Sequence, residues 1–434
     1  ELIEKASNLS VIGRAGVGVD NIDIAAATRR GIVVLNTPDA NTISAAEHTM
    51  ALILALSRNV SFGHYGLLKG EWNRHQLIGS ELREKTIGIV GLGKIGREVI
   101  QRCKAFNMRI LGYDPYIPEN FFRDDELEIT GLDNLIEKSD YITLHIPLTS
   151  DTKNLFDYNK LIRMKKEARI INVARGGVIN EADLSKVLNE NKIAGAALDV
   201  FESEPLHKNS PLLAAPNLIL TPHLGASTKE AKESVSISIC NQIKNFLIND
   251  ELHNAINIPF KNFSQLKEMA PFLNLSELLG TIHSQVSDGP IKEVHINCFG
   301  KINDTKPIGL SFLRSLLQTR VPERVNYINA NALAKELGMK VIIKFSTLDS
   351  NYSNLISAKV ISDKEAIIEG SVFDDNLPRL VNIFGYKMEV NPNGTLLFVQ
   401  NDDVPGVIGK VGTLLGNNKK NIAAYLLSRE KNEN

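Results

Sequence analysis

At 434 residues the chain is longer than one hydrophobic core usually serves, and at about 150 residues per domain it divides into roughly three. Hydrophobic residues make up 43% and charged residues 23%, and 49 Lys and Arg stand against 50 Asp and Glu for a net charge of −1, which excludes a disordered chain and a strongly basic nucleic-acid surface. The longest apolar stretch, residues 45–56, is interrupted by Glu47 and His48 and falls short of the ~20 residues a bilayer requires, so no membrane span is expected.

Glu1-Leu2-Ile3-Glu4-Lys5 reads as the middle of a helix, so the chain is expected to begin inside its first domain. From residue 11 to about 220, short apolar runs alternate with helical patterns, the order of a parallel sheet wrapped by helices. Residues 41–69 form one long helical pattern with an apolar middle. Strands are then expected at 86–90, 109–113, 141–144, 169–173 and 195–199, and residues 227–249 give a second long helix. Two long helices flanking a nucleotide-type unit suggest an insertion: a lobe made of 1–66 and 224–260, interrupted by a dinucleotide-binding domain over 67–223. Beyond Pro259 the texture becomes α+β, with strands at 340–345 and 366–371 in a domain spanning 261–391. A last segment, 394–434, opens with a strand at Gly394 and continues with a helix and one further strand. Cys103, Cys240 and Cys298 are scattered and never form a CxxC pair, so neither a disulfide framework nor a metal site is expected, and a reducing cytoplasm is the default.

Gly91-Leu92-Gly93-Lys94-Ile95-Gly96 is a GxGxxG sequence placed directly after an apolar strand and directly before an aliphatic helix. The first glycine permits a tight turn, the second lets backbone N–H groups reach a pyrophosphate, and the third lets helix and strand pack closely. Asp114 lies 18 residues beyond Gly96 at the end of the next strand, where a carboxylate accepts hydrogen bonds from ribose hydroxyls and repels a 2′-phosphate. NAD is therefore the expected cofactor, on a Rossmann-type doubly wound sheet. Lys94 either approaches phosphate or is a solvated first-turn residue.

Three charged groups stand at later strand ends: Arg175 in Asn172-Val173-Ala174-Arg175-Gly176-Gly177, Glu204 in Glu202-Ser203-Glu204-Pro205, and His223 in Thr221-Pro222-His223-Leu224-Gly225-Ala226. With the glycine fingerprint, these segments closely resemble the D-isomer-specific 2-hydroxyacid dehydrogenases, and the resemblance runs from Val11 to Pro259. Oxidising a secondary alcohol requires a hydride acceptor, a base of near-neutral pKa and a cation for the substrate carboxylate. The resemblance implies His223 as that base, Glu204 as its orienting partner, and Arg175 as the group that binds the carboxylate and the reacting oxygen. It also implies that Asp199 meets the nicotinamide carboxamide, with Val173, Ala174, Gly225 and Ala226 beside the cofactor. His48, His64, His75 and His145 compete for the role of base, but only His145 lies at a strand end, and its family position makes it a cofactor-loop residue.

The block Gly13-Arg14-Ala15-Gly16-Val17-Gly18-Val19-Asp20 resembles the substrate lobe of family members that act on 3-phosphoglycerate, and it implies a flavodoxin-like lobe in which Arg14 and Gly16 contact substrate. Arg74 matches a position where some relatives reach a neighbour's site. The basic loop that normally completes phosphate recognition is expected to lie before residue 1. Residues 262–390, with Asn329-Ala330-Asn331-Ala332-Leu333-Ala334, resemble an intervening allosteric domain, and 394–434 resembles the first part of an ACT domain. That implies an L-serine effector held by Asn401, Asp403 and Asn421, and a homo-oligomer, either a dimer or a tetramer. Two rivals to oxidation of 3-phosphoglycerate are another D-2-hydroxyacid dehydrogenase, acting on 2-hydroxyglutarate, glycerate or lactate, and a non-catalytic NAD-sensing corepressor.

Overall fold

After a single helical turn, Leu2–Lys5, comes a parallel strand pair: β1 (Val11–Gly13) lies beside β2 (Val33–Leu35), joined through the short helix Ile24–Arg29, whose Asp23 cap accepts the Ala26 N–H at 2.8 Å. The chain returns to this pair much later. Asn257 accepts the Val34 N–H and donates to the Ile32 carbonyl, while Leu35 bridges Ala255, so a distant segment saturates the edge of β2. The structure, a computed structural model, describes residues 1–118, 121–122, 127–249, 251–259, 266, 268–300, 302, 304–347, 352–373, 376–401 and 404–428. It divides into two compact units, one made of Glu1–Gly13, Asp20–Leu35 and Gln242–Asn434, the other of Arg14–Val19 and Asn36–Asn241.

The second unit is built on a seven-stranded sheet. Its strands are β3 (Thr86–Val90), β4 (Arg109–Tyr113), β5 (Glu128–Ile129), β6 (Tyr141–Leu144), β7 (Arg169–Asn172), β8 (Gly195–Leu198) and β9 (Leu218–Leu220), all parallel and ordered β5-β4-β3-β6-β7-β8-β9. Both faces are covered, which is why these strands read as unbroken apolar runs. Successive residues alternate between the two covers. Ile142, Ile170, Ala196 and Leu198 join a core with Leu135, Phe156 and Leu184. Ile87, Ile89, Tyr141, Ile171 and Ala197 face the other way, against Ala46, Met50, Ile53, Val99 and Cys103. The buried Tyr141 hydroxyl is paired with Ser57 at 2.9 Å and Ser80 at 3.0 Å, so a large polar ring is buried without an orphaned oxygen.

The long helix expected over 41–69 is two helices, Thr42–Ser57 and Val60–Leu68. Asn59 breaks it by adopting a left-handed backbone, φ 53°, a conformation asparagine tolerates better than most residues. The second long helix is present as Lys229–Asn249.

In the other unit, β10 (Glu293–Gly300), β11 (Lys340–Ser346), β12 (Asn354–Ile361), β13 (Glu365–Val372), β14 (Pro378–Ile383) and β15 (Tyr386–Val390) form a mixed sheet ordered β11-β10-β12-β13-β14-β15. Helices Ala270–Val286 and Thr305–Gln318 supply Leu275, Leu279, Phe312 and Leu316 to the core beneath it. The strand expected at Gly394 is not formed. Residues 394–401 and 421–428 hold no strand, Leu397 and Val399 stand exposed, and only the helix Val407–Asn417 is built. An isolated strand has no stability without a neighbour to pair its backbone, and no described residue pairs with this one.

His283, fully buried on Ala270–Val286, makes this unit acid-sensitive. Its Nε2–H donates to the Ala358 carbonyl at 3.1 Å, its Nδ1 has no partner among the described residues, and burial pushes its pKa from 6.5 down to about 4. Because the unfolded ring protonates first, the stability carried by neutral His283 is complete above pH 6.5 and drains as pH falls towards 4, a loss of roughly 3 kcal/mol. Urea unfolding of His283→Met across that window should show a correspondingly flatter pH dependence than the parent; equal slopes would contradict this role.

Candidate active site

The sheet reverses its strand order between β3 and β6, and in such sheets a crevice opens beyond the carboxyl ends of the strands at that point. The glycine fingerprint sits there. Gly91 has φ +96°, and a Cβ on it would lie 2.5 Å from the His145 carbonyl at the end of β6. A Cβ on Gly96 would lie 2.2 Å from the Gly91 carbonyl, so helix Lys94–Ala105 seats against the turn only with glycine at that point. Gly93, the cap of that helix, has nothing within 4 Å of its Cβ position and makes no side-chain cap bond, which leaves an open approach to the first-turn N–H groups. This cradle fits a dinucleotide pyrophosphate.

Asp114 stands at the end of β4 with Oδ2 accepting the Leu92 N–H and Oδ1 the Tyr116 N–H, each at 3.0 Å. These bonds tie the carboxylate to the fingerprint turn, and its remaining lone pairs suit ribose hydroxyls. Lys94 pairs with Asp39, so its ammonium is committed to a carboxylate. Ile95 packs partly against the core, a structural role.

The expected reactive groups meet at the ends of the adjacent strands β7, β8 and β9. Asn172 shapes the first loop by accepting the Ala174 N–H at 3.0 Å and donating to the Arg175 carbonyl at 2.8 Å, while Arg175 Nη1 donates to the Ala174 carbonyl at 2.7 Å. A Cβ on Gly176 would lie 1.9 Å from the Phe201 carbonyl, so this loop presses directly on the one that carries Glu204. Glu204 accepts the Phe201 N–H through Oε1 at 3.1 Å and meets His223 Nδ1 through Oε2 at 2.7 Å. His223 has φ +54°, a left-handed backbone that must be held by its surroundings.

Asp199 does the holding. Its side chain is 0% exposed, Oδ1 accepts from Thr221 Oγ1 at 2.6 Å and the Leu224 N–H at 2.7 Å, and Oδ2 accepts the Gly225 N–H at 2.8 Å. His48 Nε2 adds a fourth contact to Oδ1 at 3.1 Å. Burial pushes this carboxyl up, but the hydrogen bonds from His48, Thr221, Leu224 and Gly225 outweigh it and hold the pKa below the usual carboxylate value. The Asp199 oxygens thus face protein donors. On either side, Val173 approaches Gly225, Ser44 donates to the Gly225 carbonyl at 2.8 Å, and Ala226 follows half-buried. Burial pushes His145 down to about 4; its Nε2 lies 3.0 Å from Thr143 Oγ1, and a ring kept neutral at physiological pH suits a cofactor loop.

The remaining candidates are more dispersed. Arg14 folds over its own loop, donating to the carbonyls of Gly18 and Ala15, and Gly16 donates its N–H to Thr37 Oγ1 at 2.9 Å. Arg74 is exposed in a single turn of helix, Arg74–Gln76. Asn401 and Asn421 are exposed at either end of the segment containing helix Val407–Asn417, and Asp403 lies outside the described residues. The sequence reading assigned no role to Ser44 or Thr221 and set His48 aside because it lies at no strand end. The available signal was a histidine flanked by the buried Ala45, Ala46, Thr49 and Met50 of that helix.

Residues 50–225 match the family described as D-isomer specific 2-hydroxyacid dehydrogenase, NAD binding domain, and residues 268–384 match the D-3-phosphoglycerate dehydrogenase intervening domain. The chain is 42% identical to the D-3-phosphoglycerate dehydrogenase of Methanocaldococcus jannaschii over 434 residues, 99% of this chain and 82% of the relative. It is 40% identical to that of Bacillus subtilis with the same coverage. Among solved structures it resembles an NAD-dependent formate dehydrogenase from Staphylococcus aureus in complex with NAD, with TM-score 0.55, 36% identity, and 58% of this chain and 77% of that one covered. A glyoxylate reductase from Paecilomyes thermophila is similar at TM-score 0.53 and 31% identity, over 58% of this chain and 76% of that one.

Asp114 predicts cofactor choice. Loss of its ribose hydrogen bonds together with charge repulsion should make NADP(H) binding ~30- to 1,000-fold weaker than NAD(H) binding, and Asp114→Ala should narrow that gap. Fluorescence titration of the two reduced cofactors measures it, and equal affinities in the parent protein would remove Asp114 from the site.

Proposed function

The chain belongs to the D-3-phosphoglycerate dehydrogenases of the D-isomer-specific 2-hydroxyacid dehydrogenase family, and on that premise we propose that it oxidises 3-phospho-D-glycerate to 3-phosphohydroxypyruvate with NAD, the first step of L-serine biosynthesis. Held by the 91–96 turn and Asp114, NAD⁺ would supply the hydride acceptor for C2 of the substrate. The other half of the oxidation is a proton leaving the C2 hydroxyl, and His223 takes it. The observation that carries this reading is the 2.7 Å contact between His223 Nδ1 and Glu204 Oε2. An ionised carboxylate only accepts, so Nδ1 carries the ring hydrogen and Nε2 is left with the lone pair a base needs. As the ring becomes imidazolium, Glu204 faces the new charge.

Arg175 supplies the cation. Its guanidinium offers a planar fork to the substrate carboxylate and the C2 oxygen, which lysine cannot reproduce. Arg14 and Gly16 on the short loop, together with Arg74, are assigned to the rest of the substrate, whose carboxylate and phosphate both demand donors. Asn401, Asp403 and Asn421 are assigned to L-serine, whose ammonium and carboxylate need both acceptors and donors. A homo-oligomer, dimer or tetramer, is supported by large exposed apolar side chains close together in sequence, including Tyr65 at 61%, Leu68 at 72%, Trp72 at 81% and Ile78 at 82%. No helix among the described residues is long and apolar enough to cross a membrane, and a cytoplasmic location is proposed with the biosynthetic role.

NADH formation from 3-phosphoglycerate, lactate and glycerate tests the substrate; a preference for lactate or glycerate would contradict it. His223→Ala should retain NADH binding and lose at least ~100-fold in turnover, with Glu204→Gln impaired in the same step. Unaltered turnover in His223→Ala would assign the base elsewhere. For the effector, calorimetry should show Asn421→Ala binding L-serine at least ~10-fold more weakly than the parent, as expected when hydrogen bonds to a charged ligand are lost. Identical isotherms would displace that loop from the effector site.

A further inference from the structure

One contact on the buried Asp199 carboxylate comes from a residue to which no step of the proposed reaction assigns a part. His48 stands in helix Thr42–Ser57 between the buried Ala45, Ala46, Thr49 and Met50, with its side chain 18% exposed. Its Nε2 lies 3.1 Å from Asp199 Oδ1 and 3.2 Å from Thr221 Oγ1. The Thr221 hydroxyl already gives its hydrogen to Asp199 at 2.6 Å, and an ionised carboxylate has none to give. Only the imidazole can then supply a proton to this triangle, so Nε2 carries the hydrogen and the tautomer is set.

The consequence runs through Asp199 to the base. Oδ1 receives donors from a helix, from the end of β9 and from the Leu224 backbone, and Oδ2 receives the Gly225 backbone. These backbone groups directly follow His223, whose own N–H is tied to the Asp199 carbonyl at 2.9 Å. Without the imidazole donor, Oδ1 would keep only Thr221 and the Leu224 N–H among the described residues, and the buried carboxylate would lose the side-chain donor that reaches it from outside the 221–225 loop. We infer that His48 is a positioning residue of the reaction: its Nε2–H, shared between Asp199 and Thr221, holds the carboxylate in the orientation that pins the Leu224 and Gly225 N–H groups and so keeps His223 aimed at the substrate hydroxyl. This rests on the reading of His223 as the base.

The test compares His48→Leu, which removes the donor, with His48→Gln, whose amide N–H reaches a similar place. His48→Leu should lower kcat ~10- to 100-fold, the effect of one hydrogen bond to a charged group, while NADH affinity by fluorescence titration stays within about threefold of the parent. His48→Gln should recover most of the loss. A merely structural histidine would not give this split between kcat and affinity, nor its rescue. The second measurement uses the ligand-free protein: nitrogen-15 spectra of the histidine rings should show His48 protonated at Nε2, and the His223 ring signals should move in His48→Leu and return in His48→Gln. An Nδ1-protonated His48, unmoved His223 signals, or a His48→Leu enzyme with parental kcat would overturn the inference. If the parent oxidised no 2-hydroxy acid, the functional reading would fall while the ring spectra still decided the question of positioning. The tautomer measurement needs no variant and so stands even if His48→Leu does not fold.

Discussion

A carboxylate buried at 0% exposure is tolerable only if its charge is met by donors, and Asp199 meets that condition with four. Each donor is also a constraint. Thr221, Leu224 and Gly225 belong to the loop that leaves β9, and His48 belongs to a helix from the other end of the unit, so satisfying one charge fixes the path of the chain around His223. That path includes a left-handed histidine, φ +54°, a conformation of the kind that persists only when its surroundings over-determine it. The proposed base is therefore aimed by the electrostatic requirement of a carboxylate at the end of the neighbouring strand.

The parallel sheet turns this local requirement into a site. Cofactor groups lie beyond β3, β4 and β6, around the point where the strand order reverses, and reactive groups lie beyond β7, β8 and β9 in the same sheet. Close approach replaces flexible linkage throughout. Gly91 lies against the backbone at the end of β6 and Gly176 against the Phe201 carbonyl, while Gly225 lies against the Val173 side chain, so each loop braces its neighbour by close packing. Lys94, which sits in the fingerprint, pairs with Asp39.

Legibility in the sequence followed physical range. Strands buried on both faces announce themselves as apolar runs, so β3, β4, β6, β7 and β8 were readable to within a residue. In the tail sheet, strands with one face less covered, such as β10 and β12, alternate and were passed over, although β11 and β13 were recognised. Asn59 hides a helix break because left-handed asparagine is a local choice inside an unbroken periodicity. The strand at Gly394 failed for the opposite reason: its composition is strand-like, but pairing is a property of neighbours. At the site, Arg175, Glu204 and His223 could be placed because strand ends and family pattern agree. His48 could not, since its partner Asp199 lies 151 residues away and no local pattern links them.

The Asp199 carboxylate holds the base loop through both of its oxygens. Asp199→Asn tests it most directly, because an amide of the same shape accepts through one end only and turns an N–H towards a backbone N–H at the other. Steady-state turnover with NAD and 3-phosphoglycerate should fall ~10- to 1,000-fold, the loss of one or two hydrogen bonds to a charged group, while the protein remains folded. A folded Asp199→Asn enzyme turning over within about threefold of the parent, less than the loss of a single such bond, would contradict the claim.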